Sequence, residues 1–230
     1  MPDEQEINGR LVRLRRRLQR FFAGILAPLV NWLDARGVRP DQVTWAGFDL
    51  AVLAAFLAAF RLFTLAGILF ALSGVADLVD GALARRGERV SAAGAFLDSV
   101  LDRGGEALLH IGAAVAFAWL GMWLGVLAVT LSLAGSHLTS YARARAEGLG
   151  VKLESVWVGR GERIVVLSVG LIFHFALITF WIIAIASWAA AIHRVWLARE
   201  RLSPAVSDSA THSGESRQGE DDDQDDQAGA

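Results

Sequence analysis

From Val43 onward the chain is built of long apolar stretches separated by short breaks that carry arginine or glycine. Each stretch approaches the roughly 20 residues that a helix needs to cross a bilayer. Six such stretches can be marked, over residues 43–60, 62–83, 94–120, 121–144, 163–177 and 178–195. A chain that is 54% hydrophobic with only 20% charged residues is a poor candidate for a soluble domain. It has no cysteine, so thiolate chemistry and disulfide scaffolds are excluded, and any metal must sit on oxygen or imidazole ligands.

Basic residues flank the apolar stretches on one side only. They lie between residues 10 and 39, at Arg85, Arg86 and Arg89, at Arg143, Arg145, Lys152, Arg160 and Arg163, and at Arg194, Arg199 and Arg201, whereas the opposite connections carry only Arg61. By the positive-inside rule both termini are cytoplasmic, which demands an even number of spans and agrees with six. Tryptophans near the expected span ends, among them Trp45, Trp119, Trp123, Trp181 and Trp196, fit interfacial belts. The expected fold is therefore an all-α integral protein of the cell (inner) membrane with six transmembrane helices.

Two flanking segments stand apart from that domain of residues 43–202. Within the N-terminal segment 1–42, Leu11, Leu14, Leu18, Phe21 and Phe22 fall on one helical face and six arginines cover the rest, the pattern of an amphipathic juxtamembrane helix lying on an anionic leaflet. A cleaved signal is the weaker reading, because the apolar run to Val30 leads into Asn31-Trp32-Leu33-Asp34 and not into a small-residue cleavage site. Residues 203–230 hold eight acidic residues against the single basic Arg217, so the net charge of −2 hides a remainder of +5. With almost nothing apolar to bury, this segment reads as a disordered acidic tail.

The chemistry lies where the second stretch ends and the third begins. Asp77 and Asp80 are three residues apart, and Asp98 and Asp102 four apart, so each pair occupies one face of its helix. A carboxylate at membrane depth costs about 2.5 to 3.5 kcal/mol, so four cost on the order of 10 kcal/mol. Arg85 and Arg103 are too few to neutralise four acids, and divalent cations are the natural counter-charge. An all-oxygen site near water favours Mg²⁺ or Mn²⁺ over zinc. A water-filled proton or ion path, as in a divalent-cation transporter, is the reading from another class.

The pattern Asp-x2-Asp-Gly-x2-Ala-Arg-x8-Gly-x3-Asp-x3-Asp, from Asp77 to Asp102, resembles the signature of the CDP-alcohol phosphatidyltransferase family at every specified position. The resemblance implies a six-helix membrane enzyme with an N-terminal juxtamembrane helix, usually a homodimer. It implies that Asp77, Asp80, Asp98 and Asp102 hold two Mg²⁺ ions, with Mn²⁺ an alternative, and that Asp102 also takes the acceptor hydroxyl's proton. Gly81, Arg85 and Ser91 would contact the CDP part of CDP-diacylglycerol. Pro40, Asp41, Gln42 and Val43 resemble the mouth of the nucleotide pocket, with Asp41 where many members have Asn. Physically, two metals can clamp a pyrophosphate and stabilise departing CMP, Gly81 lets a nucleotide approach the backbone, and Arg85 offers a fork to phosphate.

A second cluster bears on the acceptor. Ser140, Arg143, Arg163 and Arg194 match in position the acceptor-phosphate pocket of the bacterial phosphatidylinositol phosphate synthase branch, with Arg143 where lysine is common. Arg160-Gly161-Glu162-Arg163 is an altered form of that branch's Arg-x-x-Glu-Arg element, with Gly161 where proline is usual. Three converging guanidiniums suit a doubly negative phosphate monoester, although plain positive-inside flanking also explains cytoplasmic arginines. Inositol 1-phosphate is the favoured phosphorylated polyol, and glycerol 3-phosphate, which would make the chain a phosphatidylglycerophosphate synthase, carries the same charge. His110, His137, His174 and His193 lack ligand spacing and read as satisfied helix residues, and no nucleic-acid-binding face is present. Gly135 with Ala142, and Gly112 with Ala116, read as sites of close helix packing. Membrane lipids, the lipid donor and a second copy are the expected partners.

Overall fold

Apolar residues that recur without polar alternation, and that lack proline within each run, leave helix as the only way to satisfy the backbone. The computed structural model describes residues 24–87, 90–153 and 159–203, with residues 204–225 described in backbone only. It is all helical, with no strand among the described residues. The elements are α1 (24–35), α2 (Pro40–Ala59), α3 (Phe63–Arg86), α4 (Ala92–Trp119), α5 (Trp123–Gly148), α6 (Arg160–Ile172) and α7 (Ala176–Asp225). The amphipathic helix expected before Phe22 lies outside the described residues, as do the side chains of the acidic tail.

One device ends five of these helices. At Gly37, Arg61, Gly121, Gly150 and His174 a single residue takes a left-handed φ of 62 to 83°. The following N–H then bonds to the carbonyl five residues back: Val38 to Leu33, Leu62 to Leu57, Met122 to Phe117, Val151 to Ala146 and Phe175 to Gly170. Each turn satisfies otherwise orphaned carbonyls and reverses the chain within three residues. Three of them, at Arg61, Gly121 and His174, join α2 to α3, α4 to α5 and α6 to α7 as helical hairpins.

The break expected between residues 177 and 178 falls instead at Phe173–Phe175, and α5 runs four residues past the expected 144. The first turn carries no glycine, proline or charged break, only His174 between two phenylalanines within an otherwise apolar run. The Thr64 hydroxyl fixes it from α3, donating to the Ile172 carbonyl at 3.2 Å and lying 3.1 Å from His174 Nε2. His174 is thus a turn residue, not the helix residue expected.

Of the six expected spans, four are long and apolar enough to cross a membrane: α2, α3, α5 and Ala176–Ser203 of α7. The chain is a multi-pass membrane protein. The other two fall short for different reasons: α4 carries Asp98, Asp102, Arg103 and Glu106, and α6 has 13 residues, a length of about 20 Å. Large apolar side chains such as Phe56, Ile178, Ile185 and Ile192 are more than half exposed on the outside of the bundle. Lipid is the solvent such a surface fits.

The interior is small-residue packing around a few rings. Ala51, Ala54, Ala58 and Ala66 pack with Phe70, Leu109, Phe117, Leu167 and Phe180. Helices α2 and α4 come so close that a Cβ at Gly112 would run into the Ala55 carbonyl, and one at Gly105 would lie 2.8 Å from the Ala55 neighbour across the turn, Ala51 Cβ. Near the arginine-rich end, α1 is held against α3, with Val30 packed on Val79 and Leu83, and Arg86 bonded to Asn31 and 3.6 Å from Asp34. The N-terminal segment therefore already contributes a packed helix before residue 43.

Candidate active site

Helices α3 and α4 follow one another in the chain, and the fold brings acidic side chains near the end of the first and the start of the second together. Oxygens of Asp77, Asp98 and Asp102 all lie within 4.8 Å of one another. Asp80 stands outside that cluster. It is buried and accepts a 2.7 Å hydrogen bond from the Thr44 hydroxyl of α2.

The counter-charge comes from α6. Arg160 Nη1 lies 2.8 Å from Asp77 Oδ2, and its Nη2 pairs with Asp102 Oδ1. One guanidinium cannot neutralise four carboxylates, and Asp98 Oδ1 is buried with no hydrogen-bond partner among the described residues. A close set of hard carboxylate oxygens with an unsatisfied lone pair fits a divalent cation. A cavity of about 20 Å³ adjoins the cluster, bounded by Thr44, Asp77, Asp80, Asp102, Glu106 and Arg160.

The residues expected at the nucleotide pocket fall into two local groups, Gly81 with Arg85 on α3, and Ser91 with Asp41 around Gly94, and none of them lines this cavity. Gly81 presents its bare Cα toward Arg85, where a Cβ would lie 3.4 Å from Nη1. Ser91 is the N-cap of α4, its Oγ accepting from Gly94 N at 3.0 Å, and Asp41 Oδ1 lies 3.5 Å from where a Gly94 Cβ would stand. The α1–α2 and α3–α4 connections thus converge. Their neighbours have structural employment: Pro40 opens α2, Gln42 Oε1 accepts from Arg39 N at 2.9 Å, and Val43 packs with Val79 and Leu83.

The acceptor residues are brought together only in part. Arg163 and Arg194 are buried, at 2% and 4% exposure, whereas Arg143 is exposed and paired with Glu147 at 2.8 Å. Arg163 gives Nε and Nη2 to the two Glu106 oxygens at 2.7 and 2.9 Å. Arg194 gives Nη1 to the Thr139 carbonyl at 2.8 Å, and its Nε is buried without a partner among the described residues. The charges of Arg143 and Arg163 both bear on Arg194, and Ser140, half-buried, follows Thr139 on α5.

Residues 38–196 match the family described as CDP-alcohol phosphatidyltransferase. The chain belongs to that family. A phosphatidylinositol phosphate synthase of Streptomyces avermitilis is 34% identical over 215 residues, which cover 86% of this chain and 87% of the relative. An archaetidylinositol phosphate synthase of Pyrococcus horikoshii is 38% identical over 172 residues, covering 74% of this chain and 88% of the relative. Among solved structures, the Mycobacterium tuberculosis phosphatidylinositol phosphate synthase with CDP-DAG bound has a TM-score of 0.69 at 27% identity, over 76% of this chain and 94% of that one. The same synthase in complex with manganese and citrate gives 0.67 at 28% identity, over 74% and 88%.

In this CDP-alcohol phosphatidyltransferase, sequence reasoning passed over three contributors. Thr44 carried no expected role, Arg160 stood only among the flanking arginines and in the altered Arg-x-x-Glu-Arg element, and Glu106 was not singled out. A signal for the last two was present. Asp98, Asp102, Glu106 and His110 recur every four residues on α4, and Arg160 and Arg163 are three apart on α6, so the two helices face each other as a ladder with Arg160 on Asp102 and Arg163 on Glu106. His110 ends the stripe as a satisfied core residue, with Nδ1 2.7 Å from the Glu106 carbonyl and Nε2 2.9 Å from Ser132 Oγ.

Proposed function

We propose that this enzyme transfers the phosphatidyl group of CDP-diacylglycerol to a hydroxyl of inositol 1-phosphate and releases CMP. The observation that carries the reading is the adjacency of two sites on one helix: the carboxylate cluster at Asp98 and Asp102 and, one turn on, the pair that anchors Arg163 beside Arg194. The inositol phosphate synthases among the relatives support this acceptor over glycerol 3-phosphate.

Asp77, Asp80, Asp98 and Asp102 would hold two Mg²⁺ or Mn²⁺ ions, which when bound supply the positive charge that a pyrophosphate and departing CMP require. Gly81, Arg85, Ser91 and the Asp41 rim receive the cytidine nucleotide, with Pro40, Gln42 and Val43 shaping that rim. Arg163 and Arg194, with Arg143 and Ser140 at the outer edge, receive the acceptor's phosphate as charge-assisted hydrogen-bond donors. The acceptor oxygen forms its bond to the phosphatidyl phosphorus, the pyrophosphate bond breaks toward CMP, and the proton passes to Asp102. A carboxylate suffices as base because the hydroxyl becomes more acidic as the new bond forms.

The same reading places the protein in the cell (inner) membrane with the site and both termini cytoplasmic. The arginine-rich ends of the helices support that orientation. Chain order supports six crossings: α4 and α6 each connect a span that ends at the arginine-rich side to one that begins at the opposite side. The membrane domain is residues 43–202, the N-terminal segment 1–42 adds Pro40, Asp41 and Gln42 to the nucleotide rim, the acidic segment 203–230 lies outside the domain, and the working form is a homodimer embedded among lipids.

The test is CMP release by purified protein with CDP-diacylglycerol and Mg²⁺, run in parallel with inositol 1-phosphate, glycerol 3-phosphate, free inositol and serine. Turnover with inositol 1-phosphate alone is expected. Preference for glycerol 3-phosphate overturns the acceptor, and release with none overturns the reading. In the same assay Asp102→Asn is expected to lose turnover while retaining CDP-diacylglycerol binding, and equal loss of both removes Asp102 as the base.

A further inference from the structure

We propose that Glu106 is the positioning residue of the acceptor site, holding the Arg163 guanidinium in the plane in which it meets the acceptor's phosphate. The assignment rests on the acceptor reading above.

Glu106 is a carboxylate at 3% exposure, and its partner Arg163 is equally buried. The pair is bidentate, with Nε and Nη2 on the two carboxylate oxygens. Stability alone gives such a pair little reason to exist, since well-packed apolar residues in place of a buried ion pair are often neutral or stabilising. An apolar pair cannot present a fixed cation. With Nε and Nη2 committed to Glu106, the guanidinium plane is set and the Nη1 edge takes no part in the pairing.

Two further observations point the same way. Arg194, under the like charge of Arg163, has a buried Nε without a partner among the described residues, so an unsatisfied donor lies within electrostatic reach of the positioned one. Glu106 also follows Asp102 by four residues on the same face of α4, a rise of about 6 Å. One helix face therefore sets both the carboxylate that meets the acceptor's hydroxyl and, through Arg163, the cation that meets its phosphate. Distance between these two determines which polyol phosphates bind productively.

Glu106 touches no reacting atom, so its removal is read in acceptor affinity. Glu106→Gln is expected to raise KM for inositol 1-phosphate about tenfold or more, as loss of a charge-assisted bond does, with kcat and the CDP-diacylglycerol KM within about threefold of wild type. Glu106→Asp, which retracts the carboxylate by one methylene, is expected to fall between. The double variant E106L/R163L is expected to fold with about the thermal stability of wild type, and to show an acceptor KM no higher than that of R163L alone, because Glu106 acts only through Arg163 and its carboxylate, left unpaired in R163L, is gone from the double variant. Three results overturn the assignment: an acceptor KM for Glu106→Gln within twofold of wild type, an equal rise in both substrates' KM, or additive effects in the double variant. Wild-type protein without turnover on inositol 1-phosphate overturns the acceptor reading and this assignment with it, whereas wild-type turnover with an unchanged variant KM overturns the assignment alone.

Discussion

Arg160 is the residue whose position says most about the acidic cluster. Its two terminal nitrogens bridge Asp77 and Asp102, two of the carboxylates that lie close enough to share a cation. A divalent ion shared by those carboxylates would compete with the guanidinium for them, so Arg160 is expected to act as an internal competitor as well as a counter-charge that lets the acids pack together. Removing it raises carboxylate repulsion and removes the competitor. Arg160→Gln is therefore expected to lower the thermal stability of metal-free protein and to bind Mn²⁺ about tenfold more tightly, or about 1.4 kcal/mol. Titration by electron paramagnetic resonance measures the second effect. Arg103, which donates to the Ser99 carbonyl and takes no part in this bridge, is the control for simple charge removal. If Arg103→Gln tightens Mn²⁺ binding as much as Arg160→Gln does, direct competition is wrong and long-range electrostatics suffices.

At the scale of elements, the bundle depends on positions that admit no side chain. Gly112 of α4 faces the Ala55 carbonyl of α2 so closely that any Cβ must push the helices apart, and neither backbone can yield as a flexible side chain would. The pair α2 and α4 also carries Thr44 and Asp102, so the displacement reaches the site. Gly112→Ala is expected to destabilise the protein by about 1 to 3 kcal/mol, the range for overpacking, and to lower turnover, as thermal unfolding in detergent and CMP release would measure. Gly161→Ala, where a Cβ meets nothing within 4 Å, is the matched substitution expected to leave stability unchanged. That close packing at Gly112 was legible from the sequence, but its partner was not: spacing marked Gly112 and Ala116 as one small-residue face of α4 and did not say that α2 is the helix it meets. Periodicity reports which residues share a helix face and is silent about which neighbour that face meets.

For the whole molecule, the same division holds between what spacing encodes and what only chain reversal brings together. The aspartates were legible because each pair sits within one helix and because acids in an apolar run demand a reason. Arg160 and Glu106 were legible only as members of helix faces, since pairing Arg160 with Asp102 and Glu106 with Arg163 requires residues 58 or 57 apart to meet across α4 and α6. The Phe173–Phe175 turn escaped for an opposite reason, since a lone histidine between two phenylalanines, with no glycine or proline, does not announce a chain reversal. Topology, by contrast, follows from one asymmetry in the sequence: arginines crowd the ends near residues 87 and 149, and only Arg61 lies at the other ends. If that asymmetry sets orientation, the turns at residues 60–62, 120–122 and 173–175 all face away from the cytoplasm. The absence of native cysteine makes this directly measurable, because a single introduced thiol is the only one in the chain. Phe173→Cys and Leu120→Cys, at exposed positions beside two of these turns, are expected to react in intact cells with a membrane-impermeant maleimide. Leu149→Cys, exposed at the arginine-rich end, is expected to react only after the membrane is opened. Labelling of Leu149→Cys in intact cells would reverse the orientation. Labelling of Phe173→Cys only after permeabilisation, with Leu120→Cys still reactive, would mean that α6 and α7 do not form a crossing pair and that the chain has fewer than six spans.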